Sequence, residues 1–289
     1  MGQETSNFAA WEPIVRLVAF VGVFAVMAAW EALAPRRLRL HARLARWPRN
    51  LAIVGLNTVL VRVVFPTAAV GFALLAAERG WGLLNVVEIP RGLAVVLSVV
   101  ALDFAIYLQH VMFHAVPVLW RLHRVHHADP DFDLTTGARF HPIEIVLSML
   151  IKVAAIAVLG PPALAVLLFE IVLNASAMFN HANVRLPGRV DAALRWLVVT
   201  PDMHRIHHSQ QRAEADSNYG FNLSWWDRLL GTYTPVAHQP QESMAIGVRG
   251  ITGRPEAVTL VGMLAMPFGR APRETEGRGT EGPPPAPGD

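Results

Sequence analysis

The apolar residues of this chain fall into long runs. Residues 14–34 are apolar except for Arg16 and Glu31, and residues 51–77 form a second run with Arg62 and Pro66 inside it. A third covers 92–114, and two more, 143–159 and 161–180, are split by Gly160-Pro161-Pro162. About 20 apolar residues carry a helix across the hydrocarbon core of a bilayer. The last two runs sit near the lower length limit, and the Gly-Pro-Pro turn makes them a tight hairpin that enters the membrane and returns. The pattern predicts an all-α integral membrane protein with about four transmembrane helices, two long spans plus the hairpin. The second run is bent or half-inserted around Pro66. Arg62 should face the bundle, a polar cavity or an interface, because a lipid-facing arginine at mid-depth is costly.

The polar stretches fix the topology. Acidic residues precede the first run and arginines follow it, the reverse of a signal peptide, so it reads as a retained span despite Ala32-Leu33-Ala34. Arg36, Arg37, Arg39, Arg43, Arg46 and Arg49 then crowd one loop, which the positive-inside rule places in the cytoplasm. With that loop inside, the third run ends inside, the hairpin leaves and returns, and residues 110–141 and 181–208 meet on one cytoplasmic face. This divides the chain into an N-terminal segment (1–13), spans one and two with their loops (14–94), a histidine-bearing domain with the third span and the hairpin (95–235), a C-terminal extension (236–269) and a Pro/Gly/Glu-rich tail (270–289) expected to be disordered.

Composition agrees. The chain is 53% hydrophobic and 16% charged, too apolar for an ordinary soluble domain. It has no cysteine, which excludes disulfides, thiolate zinc sites and iron–sulfur clusters. Lys152 is the sole lysine, and the arginines cluster beside apolar runs, so the positive balance reports topology and not nucleic-acid binding.

Twelve histidines are present, ten of them between residues 110 and 208. His110 and His114 share a helix face at i, i+4. His123-x-x-His126-His127 and His204-x-x-His207-His208 each present three rings at i, i+3 and i+4. The first pair alone reads equally well as a satisfied pair at a helix end; the two triplets make metal binding the stronger reading. Eight imidazoles suffice for two ions with few or no carboxylates. His181, beside Asn180 and Asn183, is a further candidate ligand. His141 is a candidate ligand or supporting residue. Asp103 lies on the face of Tyr107, His110 and His114, where a carboxylate either orients a metal-bound imidazole or makes a plain structural hydrogen bond. Glu144 and Glu170 could support the site too, but the headgroup level suits both better. Trp225 and Trp226 read as interfacial anchors. His41 and His238 read as surface residues. No Gly-x-Ser-x-Gly, P-loop or dinucleotide fingerprint occurs, so serine hydrolysis, nucleotide hydrolysis and resident flavin or nicotinamide lack support. Imidazole suits zinc and iron alike. A site beside the bilayer points to a lipid chain, and attack on its C–H bonds needs oxidising power that zinc lacks. A zinc-dependent membrane hydrolase and a non-catalytic metal-stabilised protein are the alternatives.

These boxes, with Asp103-x-x-x-Tyr107-x-x-His110, Arg139-Phe-His-Pro-Ile-Glu144, Asn180-His-Ala-Asn183 and the stretch Asp216–Tyr233, resemble the fatty acid hydroxylase / sterol desaturase superfamily over about residues 95–235. The resemblance implies a membrane stalk under a cytosolic helical cap. It also implies a di-iron centre, dioxygen, and hydroxylation or desaturation of a sterol or fatty-acyl-type lipid. The ligands it carries over are His110, His114, His123, His126, His127, His204, His207 and His208, with His181 added and His141 as a further candidate. No cytochrome b5-like domain is fused, so electrons are expected from a separate ferredoxin, reductase or cytochrome b5-type donor.

Overall fold

Every apolar run is helical in the computed structural model, which describes residues 2–269; the 270–289 tail expectation lies outside them. The apolar runs become α1 (Gly2–Leu33), α2 (Arg43–Val64), α3 (Ala68–Glu78), α4 (Arg91–Ala115), α6 (Pro142–Leu159) and α7 (Ala163–Asn180). Between and beyond them lie α5 (Pro117–His127), α8 (Gly188–Leu194), α9 (Pro201–His207), α10 (Arg212–Ala215), α11 (Trp225–Leu229) and α12 (Leu260–Ala265). Among the described residues there is no strand beyond isolated bridges.

Five segments are long and apolar enough to cross a membrane: Trp11–Leu33, Arg43–Glu78, Arg91–Ala115, Pro142–Leu159 and Ala163–Asn180. The sequence pattern predicts about four. The difference is the second run, a 36-residue path broken between α2 and α3. Pro66 cannot donate a backbone hydrogen bond, and Ala68 takes a positive φ of 50° to restart the helix.

Short turns fix the direction of each span. Gly160 ends α6 in the left-handed region at φ 63°, with its N–H on Ile156 O. The loop after α3 lies against this turn: a Cβ on Gly82 (φ 91°) would fall 2.1 Å from Gly160 N. The loop and the hairpin tip therefore share one end of the bundle. The C-termini of α1, α4 and α7 and the N-termini of α2 and α6 meet at the other end.

The core forms where α3 offers small residues. Ala69, Ala73 and Ala76 make one stripe, packed against Leu102, Ile106, Ile156, Val166 and Phe169. Small side chains let helix backbones approach where water supplies no driving force. α1 lies outside this core, along α7, and is held partly by charge. Glu170, midway along α7 and not at its end, accepts from Lys152 (2.6 Å) and Arg16 (2.5 Å). Arg16 also pairs with Glu12 at 2.9 Å. A buried charge within a span requires such a partner, which is why Glu170 does not sit at headgroup level. On α2 the inward positions are Arg46, Asn50, Ile53 and Asn57. Arg62 lies five residues further, about 140° round the helix from Asn57, and faces outward.

At the histidine end, the loop after α5 is tied to α2. Arg46 grips Asp129 (2.9 and 2.6 Å) and Asp133 (2.6 Å), and Asn50 and Trp47 add bonds to the same carboxylates. Behind α5, α12 and the turn after it pack on Val125 and Ala128. Arg124 donates to Met266 O, and Arg139 to Ala257 O.

A candidate metal centre

Each helix presents its histidines at the bundle end. α4 carries His110 and His114 in its last turns, α5 carries His123, His126 and His127, and α9 carries His204 and His207, with His208 at its C-cap. His181 caps α7. All nine are buried and form two groups: His110, His114, His123, His127 and His207, then His126, His181, His204 and His208. The i, i+4 pairs explain the partition. His123 and His127 share a face and stay together, while His126 turns to the other group. His204 and His208 stay together in that group, and His207 returns to the first. The groups touch where His127 stacks on His208, ring centroids 4.3 Å apart.

Hydrogen bonds fix the ring states. His110 Nδ1 lies 2.7 Å from Tyr219 O, His207 Nδ1 2.7 Å from Ser217 O, and His123 Nδ1 2.6 Å from Glu144 Oε1. A carbonyl oxygen only accepts, so His110 and His207 donate from Nδ1, and their Nε2 atoms carry lone pairs. Nε2 of His110, His123 and His207 is buried with no partner. Two bare lone pairs, beside a third unpartnered ring nitrogen on His123, cost several kcal/mol in a dry site unless a cation takes them.

The second group is more constrained. His181 donates from Nδ1 to Ala177 O at 2.8 Å, leaving one lone pair on Nε2. Yet that Nε2 sits 3.1 Å from His126 Nε2, 3.2 Å from His208 Nε2 and 3.1 Å from His204 Nε2. One lone pair can accept from one N–H, not three. Nitrogens bound to one ion at about 2.0–2.1 Å lie about 3.0 Å apart on an octahedral edge and about 3.4 Å on a tetrahedral one. The observed spacing falls between, so these residues fit a bound ion.

Burial also keeps the rings neutral, the form a metal needs. It pushes His123 and His181 down to about 3. Burial, then repulsion from neighbouring imidazoles, holds His126, His127, His204 and His208 well below the ordinary value. Phe140 stacks on His126 at 4.4 Å, and Trp120 stands 4.9 Å from His114 and 5.3 Å from His127.

The structure gathers the eight box histidines and His181. It places His141 elsewhere: at the N-cap of α6 its Nδ1 accepts from Ile143 N, and its Nε2 lies 3.2 Å from Leu264 O. Asp103 touches no imidazole. It accepts from Trp226 Nε1 (2.8 Å), Leu223 N (3.2 Å) and Asn222 N (3.3 Å), and so anchors the loop whose Tyr219 carbonyl takes the His110 proton. Glu144 does meet a ring. Glu144→Ala removes the acceptor that orients His123, and metal affinity is expected to fall about 10–100-fold, as for other residues supporting metal-bound histidines. Chelator titration of the purified variant checks this; unchanged affinity would remove Glu144 from the site.

Several contributors escape the sequence reading. The Ser217, Tyr219 and Ala177 acceptors are backbone carbonyls. Gly137 is required by close approach, since a Cβ there would lie 2.3 Å from Ala177 O and 2.9 Å from His181 Nδ1. Asp227 accepts from the N–H groups of Tyr219 (2.7 Å) and Gly220 (2.8 Å); burial raises its carboxyl to about 6 against these bonds.

The fold and site define a helical membrane-type protein with a buried, nine-histidine, two-group centre at one end of its bundle. Residues 95–232 match the fatty acid hydroxylase family, whose histidine boxes this region shares. It is 33% identical over 186 residues to the ornithine lipid hydroxylase OlsE of Rhizobium tropici, covering 64% of this chain and 53% of that protein. It is 31% identical over 144 residues to the alkylglycerol monooxygenase of Xenopus tropicalis, 48% of this chain and 30% of that one. A third relative, the fatty acid hydroxylase vlmA of Lecanicillium sp, is 27% identical over 201 residues, 64% of this chain and 52% of that protein. The chain thus spans about half the length of the first of these and less of the second. No solved structure gives a significant match.

Proposed function

We propose that this protein oxidises a C–H bond of a membrane lipid, using two iron ions, dioxygen and electrons from a separate protein donor. The observation that carries the reading is the pair of adjacent, wholly imidazole groups at one end of an apolar bundle. Neutral nitrogen donors without thiolates suit a redox ion such as iron. Iron supplies the oxidising power that an unactivated C–H bond demands and zinc lacks. The proposed ligands are His110, His114, His123, His127 and His207 for one ion and His126, His181, His204 and His208 for the other. Glu144 and the carbonyls of Tyr219, Ser217 and Ala177 hold four rings in the ligand tautomer. Phe132, Phe140 and Trp120 exclude water from the centre.

The relatives act, by their names, on ornithine lipid, alkylglycerol and fatty acid. This favours a polar lipid as substrate here, and hydroxylation over desaturation. Arg37 and Arg46 are tied to the loops at the histidine end, which supports a cytoplasmic centre, and the Rhizobium relative favours a bacterial inner membrane. The donor is a ferredoxin–reductase or cytochrome b5-type chain. The test is turnover of the reduced protein in native lipid extract under oxygen-18 gas. One labelled oxygen retained in a lipid alcohol is expected. Oxygen arriving only from water, with no gas consumed, would make the protein a hydrolase.

A further inference from the structure

The turn that follows α8 and the helix α11 form an apolar face that no part of the described chain covers. Trp196 is 69% exposed and Leu229 73%, and Leu197, Trp225 and Leu230 are exposed beside them. These side chains sit on a stiff platform. Trp225 Nε1 donates to Trp196 O (2.9 Å), Ser224 Oγ to Arg195 O (2.7 Å), and Arg228 lies over the rings of Trp196 (4.3 Å) and Tyr233 (4.0 Å). Five large apolar groups held outward by such bonding are not a collapsed surface loop.

The depth of the platform says what covers it. Its anchor is Asp103, which takes the Trp226 N–H, while Phe104 packs on the Trp226 ring at 4.7 Å. Asp103 is the thirteenth residue of the 25-residue α4. At about 1.5 Å per residue it lies about 18 Å along the helix from Arg91 and about 10 Å short of His110. A hydrocarbon core is about 30 Å thick. A span of that length therefore holds α11 at or below the headgroups of the leaflet nearest the histidines. Arg185 and Arg189, exposed just ahead of it, supply charge for anionic headgroups.

We propose that the α8–α11 face is buried in the near leaflet of the bilayer that the spans cross, as an interfacial element with Trp196, Trp225, Leu229 and Leu230 among the acyl chains and Arg228 at headgroup level. The occupant is lipid of that same membrane. The proposal rests on the reading of the long helices as spans and not on the redox chemistry.

The chain has no cysteine, so single-cysteine variants can be made without stripping native thiols. Trp196→Cys, Leu229→Cys and Leu230→Cys, each exposed and replaceable without opening a core, are spin-labelled in proteoliposomes of phosphatidylcholine and phosphatidylglycerol. Val96→Cys on α4 reports the bilayer interior, and Gln239→Cys on the cap reports water. Collisions with dissolved oxygen and with a water-soluble nickel chelate are compared. The patch labels are expected to group with Val96, with the nickel effect lost and the oxygen effect retained. Grouping with Gln239 would overturn the proposal. Shielding from both reagents with spin–spin broadening would overturn it too, because a second copy would then cover the face.

Discussion

His126→Ala, and separately His204→Ala, is expected to empty the four-histidine group and abolish activity while the protein still inserts. Each change leaves two of the three nitrogens that converge on His181 Nε2. Metal content should fall to about one ion per chain or fewer, because metal affinity comes from a preformed set of deprotonated donors. Insertion depends on the apolar runs, none of which the substitutions touch. The ring removed is buried, so a cavity cost of about 2–4 kcal/mol accompanies the loss, too little to stop apolar spans from inserting. Elemental analysis of membrane-extracted, monodisperse variants reads the result. Two ions retained in both variants would show that the group holds no metal.

The largest expected loss of stability comes from a residue far from any ligand role. Arg46→Met should destabilise the cap by about 3–5 kcal/mol, the cost of leaving a buried charge without its partner. Burial pushes the Asp129 carboxyl up, but the Arg46 and Arg139 guanidinium groups outweigh it and hold it at about 2. The folded value is depressed, so this stability is present above the unfolded carboxyl's range and is lost as pH falls toward 2. Without Arg46, Asp129 and Asp133 face each other across the loop that carries Thr135, Thr136 and Gly137 up to His181. The double variant Arg46→Met/Asp133→Asn should recover part of the loss, since Asp133 is left with no cationic partner while Asp129 keeps Arg139 at 3.5 Å. Thermal unfolding in detergent measures both. A single variant as stable as the parent would show that the network contributes nothing.

Arg46 also shows where sequence reading stops. Six arginines between residues 36 and 49 read as one topological marker, yet Arg46 is fully buried at the heart of the cap. Loop composition cannot tell a core arginine from a headgroup one, because the distinction lies in Asp129 and Asp133, over eighty residues away. Histidine spacing was far more informative. A repeat at i, i+3 and i+4 states which rings share a face, and that is a local property of a helix. His181 and His141 look alike in sequence, single histidines with polar neighbours at the margin of an apolar run. One caps α7 and turns inward; the other caps α6 and spends its ring on backbone. Asp103 shares a helix face with Tyr107 and His110 in the sequence, but its partner is an indole on α11, over a hundred residues on. Pro66 announced a break in the second run without showing that α3 continues to the far end. The backbone carbonyls that set the tautomers have no sequence signature, since every residue has one.

Two redox ions held by nine imidazoles would show themselves in Mössbauer spectra and metal analysis of protein grown on iron-57 and purified anaerobically. Two irons per chain are expected, one for each histidine group, as an exchange-coupled pair. Two zincs persisting under iron-replete growth, with no iron form recoverable, would contradict this expectation.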